Sequence, residues 1–132
     1  MKTLIVEDDF TSRLLLQEIL KTHGPIDTAN NGKEAVAAVQ KALDAGESYD
    51  LICLDIMMPE MDGQEALRKI REQEDQREIP SKDRVKIVMT TALDDPKNVI
   101  AAYQNLCDTY IIKPIQKKML LEALRKLRLI SC

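Results

Sequence analysis

A chain of 132 residues makes one domain and is long enough to bury a core of its own. With no Trp, one Phe and three Tyr among 45% hydrophobic residues, that core has to be aliphatic, built from Leu, Ile, Val, Met and Ala. A net charge of −3 argues against a nucleic-acid binder, which needs a basic face, and no apolar run nears the roughly 18–20 residues of a membrane span.

The first apolar run, Leu4-Ile5-Val6, reads as a buried strand ended by Glu7-Asp8-Asp9. From Thr11 to Thr22, Leu14, Leu15, Leu16, Ile19 and Leu20 recur at helical spacing until Gly24-Pro25 stops them. Ile26 to Ala29 is a short strand. Asn31-Gly32 then turns the chain into a second helix, with Val36, Val39 and Leu43 on one stripe and Gly46 as its stop. Leu51-Ile52-Cys53-Leu54 is a strongly apolar strand ended by Asp55. A third helix is expected from about Gly63 to Gln73 through Leu67 and Ile70. The polar stretch Glu74 to Arg84, with Pro80 inside it, reads as a long loop.

Val85 to Met89 is the next strand, ending at Thr90-Thr91. Asp95-Pro96 has the form of an N-cap followed by a first-turn proline and opens a fourth helix through Val99, Ile100 and Tyr103. Tyr110-Ile111-Ile112 is the last strand, closed by Lys113-Pro114. A final helix, about Gln116 to Leu129, turns Leu120, Leu124 and Leu127 inward. Its basic residues, among them Lys117, Lys118, Arg125, Lys126 and Arg128, have the spacing of a solvated helix face.

Five strand–helix units of this kind specify an α/β fold: a parallel sheet covered on both faces. The natural solution is a doubly wound, flavodoxin-like (βα)5 domain spanning 1–132, with strand order 2-1-3-4-5. Cys53, Cys107 and Cys132 have no ligand spacing and read as reduced structural thiols. Met1 leads directly into a strand rather than a signal peptide, so the expected address is the cytoplasm.

Sites in open α/β sheets form beyond the carboxyl ends of the strands. Those ends carry Glu7-Asp8-Asp9, Asp55, Thr91 and Lys113. Crowded carboxylates repel one another by on the order of several kcal/mol in a low-dielectric cleft, and a divalent cation relieves that repulsion. An all-oxygen set suits Mg²⁺, with phosphate oxygens completing its shell. Lys113 can hold a phosphoryl group as a point charge and Thr91 can donate to it, while one carboxylate acts as nucleophile. His23, the only histidine, lies at the far end of the first helix, so no Ser–His or Cys–His pair competes. Phosphoryl transfer needs chiefly positioning and charge neutralisation, which this set supplies.

At these residues the sequence resembles the receiver domains of two-component response regulators. Asp55-Ile56-Met57-Met58-Pro59-Glu60-Met61-Asp62-Gly63 is similar to the family's acceptor loop, and the acid pair, Thr90-Thr91-Ala92 and Tyr110-Ile111-Ile112-Lys113-Pro114 follow the family's order. The resemblance implies that Asp55 is the phosphoacceptor and that Mg²⁺ or Mn²⁺ is held by Asp8, Asp55, the Met57 backbone carbonyl and, through water, Glu7. It implies that Ala92 contacts the phosphoryl group through its amide. It also makes Thr91 and Tyr110 the switch residues and Lys113-Pro114 a cis peptide bond. Three acids in a row leave a second register open, with Asp9 in place of Glu7 in the pair. Leu106-Cys107-Asp108 lacks the Gly-Ala usual before the last strand, and Asn105 is the expected left-handed cap.

The implied partners are a sensor histidine kinase or phosphotransfer protein and an unnamed downstream protein. The implied output is the surface of the fourth helix, fifth strand and fifth helix, with a phosphorylation-dependent dimer admitted and no nucleic acid or membrane. Such a protein is a switch rather than an enzyme, catalysing only its own phosphorylation and dephosphorylation. Met57 and Leu93 are apolar and cannot orient a hydrolytic water, which predicts slow self-dephosphorylation. Three other readings stand beside this one. A metal-dependent phosphatase would want an acid where Met57 stands; the others are a phosphorylation-independent scaffold and a receiver cut from a larger regulator. A Met1 start and an end just past the last helix favour a stand-alone protein. The phosphoacceptor reading requires the Lys113 ammonium near the Asp55 carboxylate and that carboxylate open to solvent.

Overall fold

The computed structural model describes residues 1–56, 61–91, 96–104 and 106–131, with 96–99 described by their backbone alone. Met57, Ala92, Leu93, Asn105, Cys132 and the expected cap Asp95 therefore lie outside the described residues.

Five parallel strands, β1 (Thr3–Val6), β2 (Ile26–Ala29), β3 (Leu51–Asp55), β4 (Lys86–Thr91) and β5 (Thr109–Ile112), stand in the order β2-β1-β3-β4-β5. The helices are α1 (Phe10–Leu20), α2 (Gly32–Asp44), α3 (Gly63–Gln76), α4 (Pro96–Gln104) and α5 (Lys117–Lys126). Strand alternation divides the core in two. Leu4, Val6, Ile52, Leu54, Ile87 and Met89 pack on one face with residues of α2, α3 and α4. Ile5, Leu51, Cys53, Val88 and Ile111 pack on the other with Leu16, Ile19 and Leu20 of α1 and Leu120 and Leu124 of α5. β1 and β3 are buried along their whole length, which is why their sequences are unbroken aliphatic runs.

Helix starts follow their caps. The carboxylate of Asp9 accepts from the Ser12 amide at 2.9 Å, the Asn31 side chain from the Glu34 amide at 2.8 Å, and Asp62 from the Glu65 amide at 2.9 Å. α1 thus begins at Phe10 and ends at Leu20, and a 3-10 turn over Lys21–His23 takes up the rest of the expected helix. Leu14 and Leu15 face outward, as do Ile100 and Tyr103 on α4. Leu120 and Leu124 are buried on α5, while Leu127, at its C-cap, is half-buried.

Two expectations need correction. The third helix runs on to Gln76, and a 3-10 turn at Ser81–Asp83 occupies much of the stretch read as loop. Glu74 is buried there because an arginine and a backbone amide satisfy it. Among the described residues, the left-handed position before β5 is Leu106, at φ 74°. The Lys113-Pro114 bond is cis, as expected. Cys53 and Cys107 are buried free thiols, pushed up to about 12 and about 11 chiefly by burial. No helix among the described residues is long and apolar enough to cross a membrane.

Gly63 joins the fold to its site. Its amide donates to the Ile56 carbonyl at 2.8 Å, and an added Cβ would stand 2.2 Å from the Asp55 carbonyl oxygen. Because that neighbour is backbone, Gly63→Ala is expected to cost about 1–3 kcal/mol through forced displacement. Chemical denaturation of the two proteins measures it.

Candidate functional site

The sheet register assembles the site. Val6 pairs with Leu54, so Glu7 extends β1 into the row occupied by Asp55 on β3 and, through it, Thr90 on β4. Thr91 pairs with Ile112, and Lys113 follows one residue beyond. Alternation sets Glu7, Asp55 and Lys113 on the α1–α5 side of the sheet, with Ile5, Cys53 and Ile111. Thr91 shares the side of Ile87 and Met89.

Glu7, Asp8 and Asp55 each offer a carboxylate oxygen within 4.8 Å of the others. The Lys113 ammonium stands 2.8 Å from Glu7 Oε2 and 3.4 Å from Asp55 Oδ2. Burial pulls this ammonium down, but Glu7 and Asp55 together outweigh it and hold Lys113 above the ordinary lysine value, hence charged. That ammonium is the partner of Glu7 Oε2, which belongs to a residue with no exposed surface. Glu7 Oε1 is oriented by the Asp9 amide at 3.1 Å. Three carboxylates clustered around a single ammonium fit a hard cation or its bound water.

Asp55 is deeply set, yet 5% of its side chain reaches solvent, and the exposed Asp8 stands at the mouth. The Lys113 ammonium thus stands beside the Asp55 carboxylate, which is almost wholly buried. Thr91 is buried at the end of β4. Tyr110 is half-buried, with its ring edge-on to Tyr103 at 5.8 Å between centroids.

Asp9 has a different task. The Ser12 hydroxyl donates to its carboxylate at 2.7 Å, and this bond, with the Ser12 amide, holds the carboxyl below its usual range. A side chain spent on capping α1 favours Glu7 and Asp8 as the acid pair. Asp9→Ala should lower the melting temperature by about 4–6 °C, the loss of one cap, and leave Mg²⁺ binding intact. Asp8→Ala should do the reverse, as thermal unfolding with and without Mg²⁺ will show.

Two supporting residues carry no motif. Arg13 Nη1 donates to the Glu7 carbonyl at 3.2 Å and to Asn30 Oδ1 at 2.9 Å, tying β1 to the end of β2. Arg71 is buried beneath the corner between α4 and β5. Its signal lay in the sequence as Arg71 and Glu74, three residues apart on a helix whose buried stripe already held Leu67 and Ile70.

Known proteins agree with this geometry. The response regulator receiver domain family matches residues 3–125. Hybrid signal transduction histidine kinase L of Dictyostelium discoideum is 36% identical over 126 residues, covering 95% of this chain and 7% of that protein. Transcriptional regulatory protein ResD of Bacillus subtilis is 39% identical over 118 residues, covering 89% of this chain and 43% of that protein. The chain therefore spans only a part of these two relatives. Chemotaxis protein CheY of Bacillus subtilis is 34% identical over 130 residues, with 95% of each covered.

Among solved structures, the CheX-CheY-BeF3-Mg complex from Borrelia burgdorferi gives a TM-score of 0.82 at 27% identity, covering 99% of this chain and 90% of that one. The receiver domain of a sensor histidine kinase from Pseudomonas aeruginosa, with magnesium coordinated in its active-site cleft, gives 0.77 at 27%, covering 95% and 94%. With the family matched along nearly its whole length and the strand order in agreement, the chain belongs to the response regulator receiver domains.

Proposed function

We propose that the chain is a two-component switch whose Asp55 accepts a phosphoryl group from a phosphohistidine on a sensor histidine kinase or phosphotransfer protein. The observation that carries this reading is the Lys113 ammonium 3.4 Å from Asp55 Oδ2, inside a cluster of three carboxylates. An Asp55 carboxylate oxygen attacks phosphorus in line, the P–N bond of a phosphohistidine protonated on its other ring nitrogen breaks, and its electron pair stays on the nitrogen that carried phosphorus, leaving neutral histidine. Asp8 and Asp55, with Glu7 through water, would hold Mg²⁺ or Mn²⁺, and the resemblance assigns the further protein ligand to the Met57 carbonyl. When bound, the cation neutralises charge on the phosphoryl oxygens.

Phosphorylation replaces the single charge of the carboxylate by the about −1.5 to −2 units of a phosphoryl group, a net gain of up to about one unit. Lys113, already between Glu7 and Asp55, meets part of it. The Thr91 hydroxyl and the Ala92 amide meet the rest. By strand alternation Thr91 shares the side of Ile87 and Met89, and in this reading its hydroxyl turns toward the acceptor as the end of β4 moves. Tyr110 then packs inward, and the surface of α4, β5 and α5 changes shape. Ile100, Tyr103, Leu106, Ile112 and Met119, exposed on or beside these elements, give a partner protein apolar area to grip.

The chain acts in this reading as a cytoplasmic signalling switch, transforming no substrate beyond its own phosphate. It works alone or as a module of a longer regulator, with a protein target and a phosphorylation-dependent dimer as its outputs.

Incubation with a small acyl phosphate and Mg²⁺ should label the protein with acid-labile phosphate, and Asp55→Ala should abolish the label. Incorporation at the wild-type level would end the proposal. Because Met57 and Leu93 cannot orient water, the phosphate should be long-lived, and Met57→Asn with Leu93→Glu should shorten its lifetime. An unchanged lifetime, followed by loss of label over time, would contradict that part.

A further inference from the structure

The side chain of Arg71 is 8% exposed, and its bonds run in three directions. Nε donates to the Leu106 carbonyl at 2.9 Å, Nη1 to Glu74 Oε1 at 2.7 Å and to the Val85 carbonyl at 2.8 Å, and Nη2 to Asp108 Oδ2 at 3.0 Å. The carboxylates are bound from behind as well. Glu74 Oε2 accepts from the Val85 amide at 2.9 Å, and Asp108 Oδ2 accepts from the Ile87 amide at 2.7 Å. The Asp108 amide in turn donates to the Ile87 carbonyl at 2.9 Å, which sets where β5 begins. Leu106 turns its carbonyl to the guanidinium from a left-handed backbone that a leucine rarely adopts.

Stability alone is a weak reason for this arrangement, since a buried ion pair can often be replaced by apolar packing without loss. What the planar fork supplies is geometry: a fixed distance between α3 and the α4–β5 corner. The opposite end of α3 is pinned just as tightly, with Gly63 against the Asp55 backbone. Eight residues, roughly 12 Å of helix, separate the two anchors.

We propose that Arg71 is a positioning residue for the phosphorylation switch. It holds the corner that leads into Tyr110 and Lys113 in fixed relation to the helix that abuts Asp55. The inference rests on the reading of Asp55 as phosphoacceptor. A change at the acceptor then reaches α4 as rotation about a held pivot at Leu106, not as general loosening.

The test is nuclear magnetic resonance of the full chain, with the Tyr110 ring labelled, before and after loading with Mg²⁺ and beryllofluoride. The native protein should load, and Tyr110 should move to a second position. Arg71→Lys keeps the charge and loses the fork. It should still load, but the equilibrium between the two Tyr110 positions in the loaded protein should fall by about two- to thirty-fold, the span expected along a coupling network. Asp108→Asn should act in the same direction, and Lys69→Ala on the exposed face of α3 should have no effect. A merely structural Arg71 would lower the melting temperature while leaving the loaded Tyr110 equilibrium alone.

Variants that fold, load and show the native Tyr110 equilibrium overturn the inference and leave the phosphoacceptor reading standing. A native protein that does not load overturns both. Should Arg71→Lys fail to fold, Asp108→Asn decides the matter, because the Asp108 side chain is 23% exposed and its loss disturbs the core less.

Discussion

Like charges confined at one end of a parallel sheet are the constraint on which the rest of this molecule turns. Parallel strands deliver their carboxyl ends to a single edge, and the register here sets Glu7 in the row of Asp55. Two such carboxylates about 4–5 Å apart repel by roughly 3–4 kcal/mol at the effective dielectric of a protein rim. Lys113, reaching in from β5, lies within 4 Å of both. One ammonium against the carboxylates of Glu7, Asp8 and Asp55 leaves more acids than bases in the pocket. A site in that condition stabilises whatever positive charge enters it and responds strongly to any negative charge added.

The same register explains why the chemistry is surrounded by so much that is inert. The interior of each strand is spent on the two cores, so only residues at or just past a strand end are free to be polar. Asp9, next in line after Glu7 and Asp8, is taken by the helix that follows. Gly63 has no side chain because the Asp55 carbonyl occupies the space one would need. The backbone around Asp55 is therefore constrained from both directions, by β3 before it and by α3 after it.

Much of this was readable from the residues. β1 and β3 announced themselves as aliphatic runs, each ended by an acid, and Asn31-Gly32 and Gly46 marked the ends of α2 through turns that depend on local chemistry. Illegible were features settled by contacts far along the chain. Glu74 looked like the start of a loop because a carboxylate seldom lies in a core, and only the partners Arg71 and Val85 make it helical and buried. Leu106 gives no local sign of a left-handed backbone; its carbonyl is claimed by an arginine 35 positions earlier. Asp8 and Asp9 are chemically alike, and it took the Ser12 hydroxyl to tell a cap from a pocket acid.

The depth of Asp55 bears on how an added charge would be felt. At an open surface, water would screen a phosphoryl group and little else need change. In a pocket where only 5% of the carboxylate side chain meets solvent, the new charge has to be answered by protein groups. Lys113 is already engaged by Glu7, so it cannot supply the whole answer without giving up an existing contact. In the proposed reading a bound cation and donors at the end of β4, where Thr91 is buried, supply the remainder. In the proposed switch, neutralising the charge and moving the chain are coupled, and the depth of the carboxylate is what couples them.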